Sequence, residues 1–206
     1  MEILTTLVQS LGLAYAAGVN LYATVALTGL AARLGWIGAL PEALAPISEP
    51  WVIALAGSLA VIEFLATLIP GIASLWDTIH SAIRPPAAAM LAVLVAWHGD
   101  ASLIIAAGLL GGGLGLATHT TKLGLRYAVD VSPEPVTNAA FNLAELSLVA
   151  TLSYFIWQHP YLTLGAALVL LICLIVMLRL AWRAMRRGLR ALLNPYRQRV
   201  SARPVK

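Results

Sequence analysis

Charge is what this sequence has least of. Of its 206 residues, 11% are Asp, Glu, Lys or Arg, 60% are hydrophobic, and the mean hydropathy is +0.86. A soluble domain carries about 25% charged residues, so this chain has too little polar surface to cover a water-facing fold. Cysteine occurs once, at Cys173 inside an apolar run, which excludes an internal disulfide and any CxxC metal or redox site. No HExxH pair suggests a zinc hydrolase and no GxSxG suggests a serine hydrolase. The glycine run Gly108, Gly111, Gly112, Gly113 and Gly115 has neither a strand pattern before it nor a Lys-Ser/Thr after it, so it is not a phosphate loop. Its small-xxx-small spacing suits close helix packing, and a homodimer through this helix is one use for it.

What is present is a series of long apolar stretches. They predict an all-α polytopic membrane protein with about six transmembrane helices, at 4–32, 51–69, 85–97, 102–118, 136–157 and 161–182, forming one domain with a basic tail at 183–206. The first stretch would reach ~45 Å as helix, against a hydrocarbon core of ~30 Å, so a break or tilt is expected near Asn20. Ala14-Tyr15-Ala16 has the form of a cleavage site, but no basic segment precedes it, and a retained first helix is expected. A short surface helix is expected around 36–40.

Nine of the thirteen Lys and Arg residues lie from Arg179 onward. Such a tail predicts a cytoplasmic end lying against anionic lipid headgroups, and nothing in it interleaves aromatics as a nucleic-acid surface would. With six spans, both termini would be cytoplasmic, in a bacterial inner membrane. Adding Arg84, Lys122 and Arg126 then places twelve of the thirteen basic residues inside, with Arg33 alone outside.

Two polar stretches interrupt this apolar background. Asp77, His80 and Arg84 stand at i, i+3 and i+7, opposite Ile72, Leu75, Trp76, Ile79 and Ile83. His119, Lys122 and Arg126 repeat that spacing. Each stretch reads as an interfacial amphipathic helix. The first is introduced by Pro70 and stopped by Pro85 and Pro86, and the second is followed by Pro133, Glu134 and Pro135. Spans two and three and spans four and five therefore share a plan, and their polar faces would line a shared cavity. Asn138, Asn142 and Glu145 fall on one face of the fifth span, and Glu63 lies within the second.

Carboxylates at membrane depth cost a few kcal/mol or more, so Glu63 and Glu145 must be protonated, paired or functional. One reading makes Arg84, Lys122 and Arg126 a site for an anionic group, with Glu63, His80, His119 and Glu145 as proton-linked partners and Asp77, Asn138 and Asn142 among the binding residues. Asp130 and Glu134 would temper its charge. The other reading makes the same residues, with Asn20, Asn138 and Asn142, bonds that lock helices together. A metal held by His80, His119, Asp77 and Glu63 lacks any close-spaced ligand pair, and no cofactor is expected.

AAGVNLYATV, EFLATLIPGIASLWDTIHSAIRPPAA and SPEPVTNAAFNLAE resemble the bacterial membrane family catalogued as domain of unknown function 4126, over residues 10–150. That family usually carries an acidic–basic pair just before its Ile-Pro, where this chain has Thr67 and Leu68. The resemblance implies a topology and a set of positions, and no reaction. The expectation drawn from all of this is a small transporter or permease-like protein with a cytoplasm-facing polar cavity. A non-catalytic scaffold or partner subunit is the alternative, and an intramembrane lipid-modifying enzyme is less favoured.

Overall fold

The computed structural model describes residues 2–130 and 135–201. These form α1 (Glu2–Val19), α2 (Leu21–Arg33), a 3-10 turn (Ala45–Ser48), α3 (Pro50–Ala66), α4 (Pro70–Ala96), α5 (Ala101–Asp130), α6 (Pro135–Gln158) and α7 (Pro160–Ser201), with no strand among the described residues. Four helices are long and apolar enough to cross a membrane, within Gly71–Ala96, Ala101–Tyr127, Val136–Gln158 and Pro160–Arg187; Ile3–Val19 and Pro50–Ala66 are shorter apolar helices. The protein is an all-helical membrane protein with four candidate spans among the described residues, which does not confirm the six expected.

Of the two expected spans that fall short, 51–69 is the 17-residue α3, and 4–32 is divided. Asn20 leaves the helix with an extended backbone, and its side-chain oxygen accepts from Ala23 N–H at 2.9 Å, capping α2. An N-cap oxygen satisfies a donor that the new helix cannot satisfy itself, so one residue suffices to end one helix and start the next. The chain also reverses there. Thr5, near the start of α1, hydrogen-bonds the Tyr161 hydroxyl at the start of α7, and the Trp36 carbonyl, just past α2, accepts from Gln158 at the end of α6. Both ends of the α1–α2 pair therefore lie where α6 turns into α7, and Asn20 is the tip of a helical hairpin. At ~27 Å and ~20 Å, neither arm carries the chain from one end of the bundle to the other. The 4–32 stretch is thus not one span, and α1 begins at the end of the bundle opposite the one from which the α7 tail emerges. The expectation that both termini share one face is corrected on this geometry.

A second correction concerns the prolines. Pro85 and Pro86 do not stop a helix; α4 runs 27 residues straight through them. Their missing N–H groups leave the Ser81 and Ala82 carbonyls without their usual partners, a loss that transmembrane helices tolerate when neighbours pack against the site. The stretches expected as interfacial helices are accordingly the inner halves of α4 and of the 30-residue α5. Their amphipathicity is inverted relative to a water-exposed helix: Asp77, His80 and Arg84 are buried, while Ile72, Leu75 and Ile79 are exposed. Residues 36–40 form no helix, the short element lying at Ala45–Ser48 instead. Helix α7 continues past Pro195 into the basic tail, where the Arg183, Arg186 and Arg187 side chains are exposed. Pro133 and Glu134 lie outside the described residues, as does the Asp130 side chain; Pro70 and Pro135 open α4 and α6.

The glycines of α5 are used within the chain. A Cβ on Gly111 would sit 2.5 Å from Ala92 Cβ, one on Gly115 would press closer still on Ala88 Cβ, and one on Gly18 would sit 2.7 Å from the Gly115 carbonyl. α4, α5 and α1 thus meet through small residues, the packing available where lipid is as apolar as the side chains. A homodimer would need a surface other than this one. Gly111→Val and Gly115→Val are expected to cost at least about 1–3 kcal/mol as overpacking, read by thermal or denaturant unfolding in detergent. Gly113→Ala, with nothing within 4 Å of the added carbon, should be neutral or stabilising.

Candidate functional site: a buried charge cluster

The two i, i+3, i+7 faces meet. α4 contributes Asp77, His80 and Arg84, α5 contributes His119, Lys122 and Arg126, and α6 contributes Asn138, Asn142 and Glu145, all of them buried. The α3 end supplies Glu63, also buried, and the α1 end supplies a backbone carbonyl. In place of an open polar cavity there is a packed cluster of three cations and three carboxylates.

Lys122 is at its centre. Its Nζ lies 2.9 Å from Glu145 Oε2, 3.3 Å from Glu63 Oε1 and 3.9 Å from Asp77 Oδ1, and donates to the Val19 carbonyl at 3.1 Å. That carbonyl belongs to the C-terminal turn of α1, whose last carbonyls lack helical donors and carry the negative end of the helix dipole. Arg84 pairs through Nη2 with Glu63 Oε1 and lies 3.6 Å through Nη1 from Asp77 Oδ1. Arg126 lies 3.5 Å from Asp77 Oδ2 and 3.8 Å from Glu145 Oε2, donates to Asn142 Oδ1 at 2.7 Å, and stacks its guanidinium 4.8 Å above the Phe141 ring.

The histidines take defined tautomers. Arg84 Nη1 has only protons to give, so His119 Nδ1, 3.1 Å away, accepts. The ring proton then sits on Nε2, which donates to Ser81 Oγ at 2.9 Å, and Ser81 in turn donates to the Asp77 carbonyl at 3.0 Å. His80 is the converse: Nδ1 donates to the Trp76 carbonyl at 2.7 Å, and Nε2 accepts from the Tyr22 hydroxyl at 3.1 Å. Trp76 stacks on the His80 ring with centroids 4.6 Å apart.

Several polar atoms inside the cluster make no hydrogen bond: Glu63 Oε2, both Asp77 oxygens, Glu145 Oε1 and both amide atoms of Asn138. Among the described residues no group of three or more His, Cys, Asp or Glu side chains is placed to hold a metal ion. A cavity of about 180 Å³ between α1, α5, α6 and α7 reaches the cluster, with Lys122 and Glu145 in a wall otherwise formed by Tyr15, Leu125, Leu148 and similar residues.

A family model, the Domain of unknown function (DUF4126), matches residues 7–180. The chain belongs to this family. No curated protein and no solved structure matches it. The family position noted above for its altered charge pair gains a contact here: the Thr67 hydroxyl accepts from Asn142 Nδ2 at 2.9 Å and donates to the Glu63 carbonyl at 2.7 Å, and its own carbonyl accepts from Arg126 at 3.4 Å. Thr67, Ser81, Tyr22, Phe141 and the Val19 carbonyl were absent from the residues singled out by spacing. Of these, only Thr67 carried a signal, as the departure from the family pattern. Asn20 shapes the site from a distance, by ending α1 so that Val19 faces Lys122.

Arg84→Met leaves Glu63 with one cation fewer in a dry site, and it is expected to cost about 3–5 kcal/mol in detergent unfolding. Arg84→Met combined with Glu63→Gln should cost less than the two single changes summed, because the pair fails together.

Proposed function

We propose that this membrane protein is a small transporter or permease-like protein that takes up a monovalent anion together with a proton at the Lys122–Glu145 pair. The cluster balances Arg84, Lys122 and Arg126 against Glu63, Asp77 and Glu145, so no cation is free for an anion as it stands. Protonating one carboxylate neutralises one acid and leaves one cation uncompensated, and one anion then restores the balance. The low dielectric enforces this one-for-one exchange, since an unmatched charge there costs several kcal/mol. Glu145 is the carboxylate placed to exchange, because it alone of the three lines the cavity.

The observation that carries the reading is that one ion pair of the cluster, Lys122–Glu145 at 2.9 Å, stands in the wall of a cavity while the other two carboxylates do not. A cluster serving only to hold helices together gains nothing from a cavity beside one of its ion pairs, whereas a site that changes protonation and partner needs access to that pair. The basic tail supports a cytoplasmic position for the cluster half of the bundle, in a bacterial inner membrane. That count is unaffected by the reversal at Asn20, since no Lys or Arg precedes Arg33.

The competing reading is a helix-locking scaffold, favoured by the opposite charge within 4 Å of every charged group in the cluster. The two part on anion binding. The purified protein in detergent, titrated with acetate between pH 5 and 8, should be stabilised by ~2.7 kcal/mol at a hundredfold excess over Kd. The acetate Kd should tighten about tenfold per pH unit lowered while Glu145 is ionised, one proton being taken up with each anion. Glu145→Gln should bind acetate with little pH dependence, and Lys122→Met should not bind it. A protein that acetate never stabilises, with variants that only melt earlier, makes the cluster a lock.

A further inference from the structure

The cavity that reaches Lys122 and Glu145 has far more apolar wall than a small hydrophilic anion would use. Besides that pair and two threonines, its walls come from Tyr15, Val19, Phe141, Leu148, Leu171 and Leu174 and their neighbours. It also does not end there. A second cavity, about 380 Å³, lies between α6 and α7, is lined by Leu152, Phe155, Leu162 and Leu170, and extends to His159. Leu148 is common to both, so the two lie next to each other along the α6–α7 seam, and together they outline a groove there. From Glu145 to His159 the groove follows fourteen residues of helix, ~21 Å, which is more than the ~15 Å that lipid tails give each leaflet. Ala144, Thr151 and Ala166 in its walls are exposed on the outer side of membrane-spanning helices, so its open side faces lipid.

We propose that this groove binds a single-chain carboxylate amphiphile, of the long-chain fatty acid class, entering sideways from the bilayer. Its carboxylate would take the place of Glu145 on Lys122, and its chain would lie past Leu148 towards His159. Charge complementarity selects the head: the polar end offers one lysine and one exchangeable carboxylate, which matches one carboxylate and one proton. The narrow end, at about 180 Å³ and with Lys122 buried, suits a planar carboxylate on a single chain better than a glycerophosphate carrying two. This inference rests on the proton-linked anion reading above and names its substrate.

The test uses a diazirine-bearing palmitate analogue added to the full chain in nanodiscs of zwitterionic phospholipid, with crosslinks mapped by mass spectrometry. Saturable labelling of 144–171 is expected, competed by palmitate and not by hexadecanol. Labelling should weaken about tenfold or more in Lys122→Met, as loss of a charged hydrogen bond predicts, and should be blocked in Ala166→Trp, an exposed site chosen because it fills the groove without touching the cluster. Competition by hexadecanol equal to that by palmitate would reduce the groove to a seat for bulk lipid and overturn the proposal. If acetate stabilises the protein in a Glu145-dependent way while palmitate does not label the groove, the substrate class is wrong and the proton-linked site stands. If neither ligand binds, both fall together.

Discussion

A charge inside a bilayer must be matched, and most of this structure follows from how six of them are. Three cations and three carboxylates from α3, α4, α5 and α6 meet in one packed cluster, with a helix C-terminus from α1 as a further acceptor. Water could have solvated these groups singly at a surface. In a dry interior each depends on the others, and the elements that carry them are held to the geometry that keeps them paired. The close packing of α4 on α5 and α1 through Gly111, Gly115, Gly18, Ala88 and Ala92 serves the same end, since it brings the polar faces of α4 and α5 within reach of each other and of Val19.

The hairpin tip at Asn20 has a chemical consequence as well as a topological one. A continuous helix through this point would bind the Val19 carbonyl to its own backbone and offer Lys122 nothing. Ending α1 there frees that carbonyl, and the dipole of α1 adds to the attraction for the ammonium. The cap that starts α2 keeps the interruption short: Asn20 accepts from Ala23 N–H, and its carbonyl accepts from the Thr24 hydroxyl. The broken helix is thus a way of bringing backbone charge to a lysine that side chains alone satisfy only in part.

Much of the cluster was legible in the sequence, because helical spacing is local. Asp77, His80 and Arg84, His119, Lys122 and Arg126, and Asn138, Asn142 and Glu145 each announce a common face by number alone. What those faces meet is not local. The Val19 carbonyl and Ser81 carry no distinctive residue type at a distinctive interval, and Thr67 stood out only against a family pattern. The proline pair misled for a definable reason: in water Pro85-Pro86 ends a helix, and here α4 is held on both sides of it by α1 and α5. The same change of solvent inverts the amphipathic stretch, so a pattern that reads as interfacial in water is a buried polar face in lipid. The break near Asn20 was expected, but its sense was not, because an asparagine cap signals where a helix stops and not which way the chain then goes.

The balance of the cluster constrains any function that it serves. With three acids facing three bases, binding a lone anion or releasing a lone proton leaves an unmatched charge in a medium that penalises it, so the two events are favourable only when they occur together. Coupling of this kind needs no large moving part. It follows from charge parity and from one acid having access to a cavity while the other two do not. Glu63 and Asp77, each held between two or three cations away from that cavity, keep the parity; Glu145, at its wall, is where the parity can be exchanged. On the carrier reading proposed above, that asymmetry is what lets the exchange take place at one acid while the other two hold the cluster together.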